Sequence, residues 1–382
     1  MSNNMIKEDF EYNVTGIQRV RPSLLDRKFT SPVIEDVIES MKLRMKDKDL
    51  AVLFENCWSN TLDSAIAWHG KSNAYPRTFV VPGNIGIMFI RDSTNQMIPY
   101  TPFAKHDPKL KDLILGVILM QAEFLASDPY ANSFYPPLDS NLPRPENPWS
   151  DNDKTTPLPS SSVWQSKWGA DNLAFFLKLT YHYWKNTNDT SFLKNANWSQ
   201  AAELSVKVFT EQRRATMEEF GHEAYKFTRK TRTASETLLL NGIVLHEEQI
   251  LTSTQDQEIL ENLDILKNIS LETGLISQAV WYNDPKIVSQ PWFASANSLF
   301  GEAILRLAEE KPHLIFDMKI ESTPNFGLSQ ILLVLAIFFM LAFCYIRCLC
   351  CRRRRKPVPE AHPPSVPNEE VSYQQINNIE RV

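Results

Sequence analysis

SPVIEDVIESMKLRMKDKDLAVLFEN, residues 31–56, decides the class of fold. Val33, Ile34, Val37, Ile38, Met41, Leu43 and Met45 recur near helical spacing, and Lys and Asp fill the opposite face. That pattern predicts one long amphipathic helix. Residues 109–125 repeat it with Leu110, Leu113, Ile114, Val117, Ile118 and Met120. Further helical stretches are expected at 170–184, 198–220, 258–269 and 295–310. Long, Pro-rich, aromatic-bearing loops such as 130–163 join them. The chain shows no βαβ alternation, no Gly-rich phosphate loop and no repeat of fixed period. Helical hairpins with long loops point to an all-α architecture, an α/α toroid or a bundle, and loops that long usually carry function.

The composition is that of a globular chain. It has 382 residues, a net charge of -5, 43% hydrophobic residues and 11% aromatic. Nothing in the overall charge suggests nucleic-acid binding. Cys57 stands alone and Cys344, Cys348, Cys350 and Cys351 cluster near the C-terminus, so neither a disulfide framework nor a zinc site is expected. Residues 1–20 are polar and lack the apolar run of a signal peptide, and they read as a flexible N-terminus.

Residues 328–346, LSQILLVLAIFFMLAFCYI, carry no charge and are followed by Arg347 and Arg352–Lys356. About 20 apolar residues at ~1.5 Å each cover the ~30 Å of a bilayer core. A transmembrane helix is therefore expected at 328–347. The basic flank puts a disordered tail, 348–382, in the cytosol and the main region on the exoplasmic side. Cysteines where the chain leaves the bilayer suit palmitoylation, or plain thiols in a reducing cytosol. Sequons at Asn13, Asn188, Asn197 and Asn268 agree with an exoplasmic main region.

Two places could carry chemistry. Residues 78–100, TFVVPGNIGIMFIRDSTNQMIPY, place Arg91-Asp92 and then Gln96 after an apolar stretch. An Arg beside an Asp holds the carboxylate ionised and offers forked donors to sugar hydroxyls. It is equally a surface ion pair at a helix start, with Asp92 or Ser93 as cap. In residues 291–302, PWFASANSLFGE, an aromatic loop leads into a helix carrying Asn297 and Glu302. A Glu among apolar neighbours is a candidate general base, unless it faces water as Glu309 and Glu310 do.

Three segments resemble glycoside hydrolase family 125: residues 53–63 (LFENCWSNTLD), 89–96 (FIRDSTNQ) and 291–302. The likeness extends to 164–173, 181–184 and 230–238. The resemblance implies an (α/α)6 toroid of the six-hairpin type at 21–320. It also implies an inverting, cofactor-free and metal-independent exo-α-1,6-mannosidase that acts on mannose-containing glycans. By resemblance Glu302 is the general base; Arg91, Asp92 and Gln96 form the sugar-pocket motif; and Trp292 and Asn297 belong to the loop before the base.

The family's general acid, an Asp in a segment like Arg-Pro-Ser-Asp-Asp, is not found. After Asn241-Gly242 the chain runs IVLHEEQILTSTQDQ, and by Ile259 it already resembles the part just before the base, so the toroid is expected to be incomplete. Glu247, Glu248 and Asp256 are the carboxyls nearest that place, and a solvated loop is the simpler account of them. Asn84 stands where the family tends to have Asp, and Gln165 and Gly169 where it tends to have Glu, whereas Asp171 is kept. Three readings remain: a working hydrolase, a non-catalytic mannoside- or protein-binding relative, and a chain lacking an internal piece of an active enzyme.

Overall fold

A computed structural model describes residues 16–72, 74–148, 153–213, 225–229, 250–278, 280–281, 284–288 and 290–317. The described residues belong to one compact unit. The sequence 31–56 folds as two helices rather than one: α1, Pro32–Arg44, and α2, Lys48–Asn60. The break has a local cause. Met45 turns extended and pairs with Phe316, Lys46 N–H donates to Ile315 O at 3.0 Å, and the Asp47 carboxylate caps α2 by accepting from Leu50 N–H. Leu43, counted with the apolar stripe, is exposed, because it stands two residues past Met41 and off the face that carries Ile34, Ile38 and Met41.

After α2 the helix widens into a π-turn, Thr61–Ala65, and then becomes a strand. β1, Ile66–Ser72, and β2, Tyr75–Val80, form an antiparallel hairpin. β3, Met88–Phe89, leads into α3, Ile90–Met97, and a 3-10 stretch, Ile98–His106. α4, Pro108–Ser127, starts with Pro at its first turn and Asp107 accepting from Lys109 and Leu110 N–H. It is apolar nearly all round and runs through the core, as such a helix must. Gly116 lets it lie on β2: a Cβ there would sit 2.2 Å from Thr78 Oγ1. β4, Ser133–Phe134, lies between β3 and β6, Val163–Gln165. β5, Asp153–Thr156, pairs with β7, Lys226–Arg229, and β8, Val280–Trp281, with β9, Asp284–Val288.

The longer helices that follow among the described residues are α5, Ala170–Thr187; α6, Ala196–Gln212; α7, Asp256–Ile269; and α8, Ala294–Glu310. α2 packs against α8, α4 against α6, and α3 against both α5 and α8.

The all-α expectation is therefore corrected. Short antiparallel pairs accompany the helices, the longest described being the β1–β2 hairpin, whose strand β2 packs on α4. The expected transmembrane helix is corrected as well. Among the described residues no helix is long and apolar enough to cross a membrane. Residues 328–347 and the tail 348–382 lie outside the described residues, as do 230–249. The expected flexible N-terminus is tied down in its described part: Ile17 N–H donates to Asp49 Oδ1 and Val20 N–H to Asn56 Oδ1, each at 3.1 Å.

Candidate functional site

α3 is a short helix in a groove. Its first turn is held from below by Gln121 of α4, whose Nε2 donates to Ile90 O, Ser93 Oγ and Thr94 Oγ1 at 3.1, 2.8 and 3.0 Å. Thr94 Oγ1 in turn donates to Phe175 O of α5 at 3.1 Å. α5 on one side and α8 on the other both pack on α3 but hardly touch each other. Along the floor, Arg91 and Asn95 lie one turn apart and reach the surface, while the rest of the helix is buried.

Arg91 and Asp92 sit at one end of this groove. Asp92 is buried and Arg91 half exposed. Arg91 Nη1 donates to Asp171 Oδ2 of α5 at 2.9 Å. Its Nε lies 3.6 Å from Asp92 Oδ1, an ionic contact too long for a hydrogen bond. Burial pushes the Asp92 carboxyl above the usual range; Arg91 pulls it down, and Asp171 pushes it further up. Asp171 occupies the second position of α5, two residues after Gly169, where a Cβ would lie 2.3 Å from Asp171 Oδ1. Sequence reasoning noted Asp171 only as a retained acid. An acid in the first turn of a helix is ordinarily explained by the helix dipole, and that masks any other use.

Gln96, on the inner face of α3, is fully buried. Its Nε2 donates to Val81 O at 2.9 Å, and its Oε1 has no partner. It holds the loop 81–87 against α3. That loop also meets the segment carrying Trp292: Ala294 N–H donates to Pro82 O at 2.7 Å, and a Cβ on Gly83 would lie 2.9 Å from Trp292 O. Trp292 itself is half-buried.

Asn297 is completely buried, and its amide is committed to the fold. Oδ1 accepts from Ile276 N–H at 2.9 Å; Nδ2 donates to Phe293 O at 3.0 Å and to Asn60 Oδ1 and Ile276 O at 3.3 Å each. The structure thus gives Asn297 the job of setting α8 against α2 and leaves it nothing to offer a sugar. Ser298 continues this seam through Thr61, with hydroxyls 2.9 Å apart.

Glu302 lies one turn further along α8, half-buried. Burial pushes its carboxyl above the usual range, against the charges of Lys178 and Arg306. Those two cations, not Arg91 or Asp92, are its charged neighbours. Lys178 is seven residues beyond Asp171 on α5, about 10 Å along a helix. The structure therefore gathers Arg91, Asp92 and Gln96 on α3, adds Asp171 from α5, and sets Glu302 on α8 with Lys178 and Arg306 as its charged neighbours. Asp256 serves elsewhere: it pairs with Lys311 at 2.6 Å and His313 at 2.8 Å, and those contacts hold it below the usual range. Glu247 and Glu248 lie outside the described residues.

Comparison with known proteins gives this arrangement a family. The family model described as metal-independent alpha-mannosidase (GH125) matches residues 47–248 and 244–305. The two runs meet inside the stretch where the general-acid segment was looked for. A relative from Schizosaccharomyces pombe, the meiotically up-regulated gene 157 protein, is 42% identical over 239 residues, 60% of this chain and 46% of that protein. The chain thus spans less than half the length of that relative. In fold it is similar to a Streptococcus pneumoniae metal-independent alpha mannosidase solved in a non-productive complex with alpha-1,6-mannobiose, with a TM-score of 0.60 and 18% identity. That likeness covers 74% of this chain and 100% of the other, and it supports the helix-rich, toroid-like architecture. The chain belongs to the metal-independent alpha-mannosidase family, GH125.

Proposed function

We propose that the groove over α3 binds a terminal mannose of an α-1,6-linked glycan, with Arg91 and Asp92 as the sugar-hydroxyl contacts and Glu302 as the base of an inverting hydrolysis. The observation that carries this reading is the Arg91–Asp92 pair: a buried carboxyl with a cation 3.6 Å away and no full hydrogen bond from it. Such a group is stabilised by hydroxyl donors that a sugar supplies. Gln96 and Trp292 act from behind, by fixing the loop 81–87. The mannobiose complex of the Streptococcus pneumoniae relative supports the substrate class.

Inversion needs a second carboxyl, about 6.5–9.5 Å from the first, to protonate the leaving oxygen. Among the described residues the charged groups acting on Glu302 are two cations. That favours a second reading, in which this chain binds mannosides and turns them over slowly. Loss of a positioned acid costs roughly 10²–10⁴-fold in rate.

The experiment is to incubate the protein with α-1,6-mannobiose, follow free mannose, and measure mannobiose binding by calorimetry, for wild type and Glu302→Gln. Release by wild type and none by the variant supports hydrolysis with Glu302 as base. Equal release by both removes Glu302 from the role. Binding without release selects the second reading, and absence of both sinks the mannoside assignment.

A further inference from the structure

We propose that Asp171 is a positioning residue: by taking one arm of the Arg91 guanidinium, it leaves the Asp92 carboxyl short of donors and open to sugar hydroxyls. The inference rests on the mannoside reading of the groove, and it adds a residue and a mechanism to it.

The geometry is unequal. A guanidinium beside a single carboxylate ordinarily closes a two-pronged pair. Arg91 does not do this with Asp92, its neighbour in the chain. Its Nη1 is spent on Asp171 at 2.9 Å, and the nearest approach to Asp92 is Nε at 3.6 Å. The carboxyl that receives the hydrogen bond is the more exposed one, while the buried one is left with an ionic contact only. Donors in a protein interior ordinarily go first to the less exposed acceptor, which has less access to water.

Two features hold Asp171 in place without drawing on Arg91. It stands in the first turn of an 18-residue helix, where the helix dipole favours a carboxylate. Gly169 also provides room, since a Cβ at that position would meet Asp171 Oδ1 at 2.3 Å. Arg91 is thereby anchored from α5 through Nη1, and its side chain stays half exposed. The charged groups facing Asp92 are Arg91 from α3 and Asp171 from α5; α8 and the β3–β4–β6 sheet contribute none among the described residues.

Removing Asp171 releases Arg91 to close on Asp92. The buried carboxylate then gains its donors and loses its need for a ligand, and a like charge disappears from its surroundings. Both changes favour the ionised form.

The test is the Asp92 side-chain carboxyl titration by carbon-13 NMR, assigned by its loss in Asp92→Asn, with mannose and mannobiose binding measured on the same samples. In Asp171→Asn the Asp92 midpoint is expected to fall by about one pH unit. Mannose binding at neutral pH is expected to weaken about tenfold, with the melting temperature unchanged. In Arg91→Gln the midpoint is expected to rise instead, since the cation beside Asp92 is gone. Asp171→Glu should restore both the titration and the binding in part. A midpoint in Asp171→Asn that stays where wild type has it overturns the proposal, whatever happens to binding. If wild type binds no mannoside, the functional reading fails, and the titration still decides whether Asp171 controls Asp92.

Discussion

At the scale of single residues, the informative side chains are those whose polar atoms are fully used and those whose atoms are not. Asn297 and Asp92 stand at the two extremes. Asn297 satisfies three backbone groups and one side chain from inside the core. Asn297→Ala strands buried donors and acceptors on Ile276, Phe293 and Asn60. It should cost about 2–4 kcal/mol, summing over two or more orphaned groups at 1–3 each. Urea unfolding of the variant measures this, and a loss under about 1 kcal/mol would show that water replaces the amide. Asn297 was legible in the sequence as important but not as structural. Resemblance and burial both mark a residue before a candidate base, and only the contact list separates a sugar ligand from a strut. The Arg91-Asp92 dipeptide was legible for the opposite reason: an adjacent cation and acid after an apolar run is rare enough to stand out. Its partner Asp171 lies 79 positions after Asp92 in the chain, and no local pattern links positions so far apart.

At the scale of elements, the contact between α2 and α8 governs where Glu302 sits. The two helices approach through Gly301, where a Cβ would come within 2.3 Å of Trp58 Cδ1. Trp58 cannot retreat, because it is fully buried and stacked between Phe54 and Tyr100. Gly301→Ala therefore has to push α8 outward and should cost about 1–3 kcal/mol, as overpacking in a dense core does. A thermal melt of the variant checks it, and a stability equal to wild type would mean that the helices slide past each other freely. The helices themselves were readable from their 3.6-residue period, and α4, α5 and α8 fall within a few residues of where that period puts them. The β1–β2 hairpin was not. β1 reads IAWHGKS, apolar at adjacent positions at its start and polar or small towards its end, and β2 is buried almost throughout, so neither shows a clean two-residue period. The break at Met45–Asp47 escaped notice because its cause, the backbone of residues 315–316, is a long-range partner.

At the scale of the whole molecule, the N-terminal arm is bound to the helical body by charge. Arg21 donates to both Glu35 oxygens at 3.0 and 2.7 Å and to both Asp63 oxygens at 3.2 and 2.7 Å, and Arg27 reaches Glu35 at 3.1 Å. Burial pushes the Glu35 carboxyl up, but the hydrogen bonds and charges of Arg21 and Arg27 outweigh it and leave it below its ordinary value of 4.5. Asp47 is held low in the same way by Lys267, at 2.5 Å. A carboxyl with a depressed folded value stabilises the fold above its unfolded value and loses that contribution as pH falls through the folded one. The melting temperature should therefore hold above about pH 5 and fall progressively below about pH 4.5. Glu35→Gln should lower the plateau and flatten the acid slope. A variant whose slope matches wild type would remove Glu35 from the account.

The π-turn at Thr61–Ala65 has a consequence for how these scales connect. Wider closure shifts the angular phase of every side chain that follows. Thr61, at its start, faces Ser298, and Asp63, two residues on, has swung round to Arg21. The turn works as a gearbox: one stretch of backbone meshes with α8 on one flank and with the N-terminal arm on the other. Deleting a single residue there would reset the gearing to that of an ordinary α-helix and disengage one side or the other.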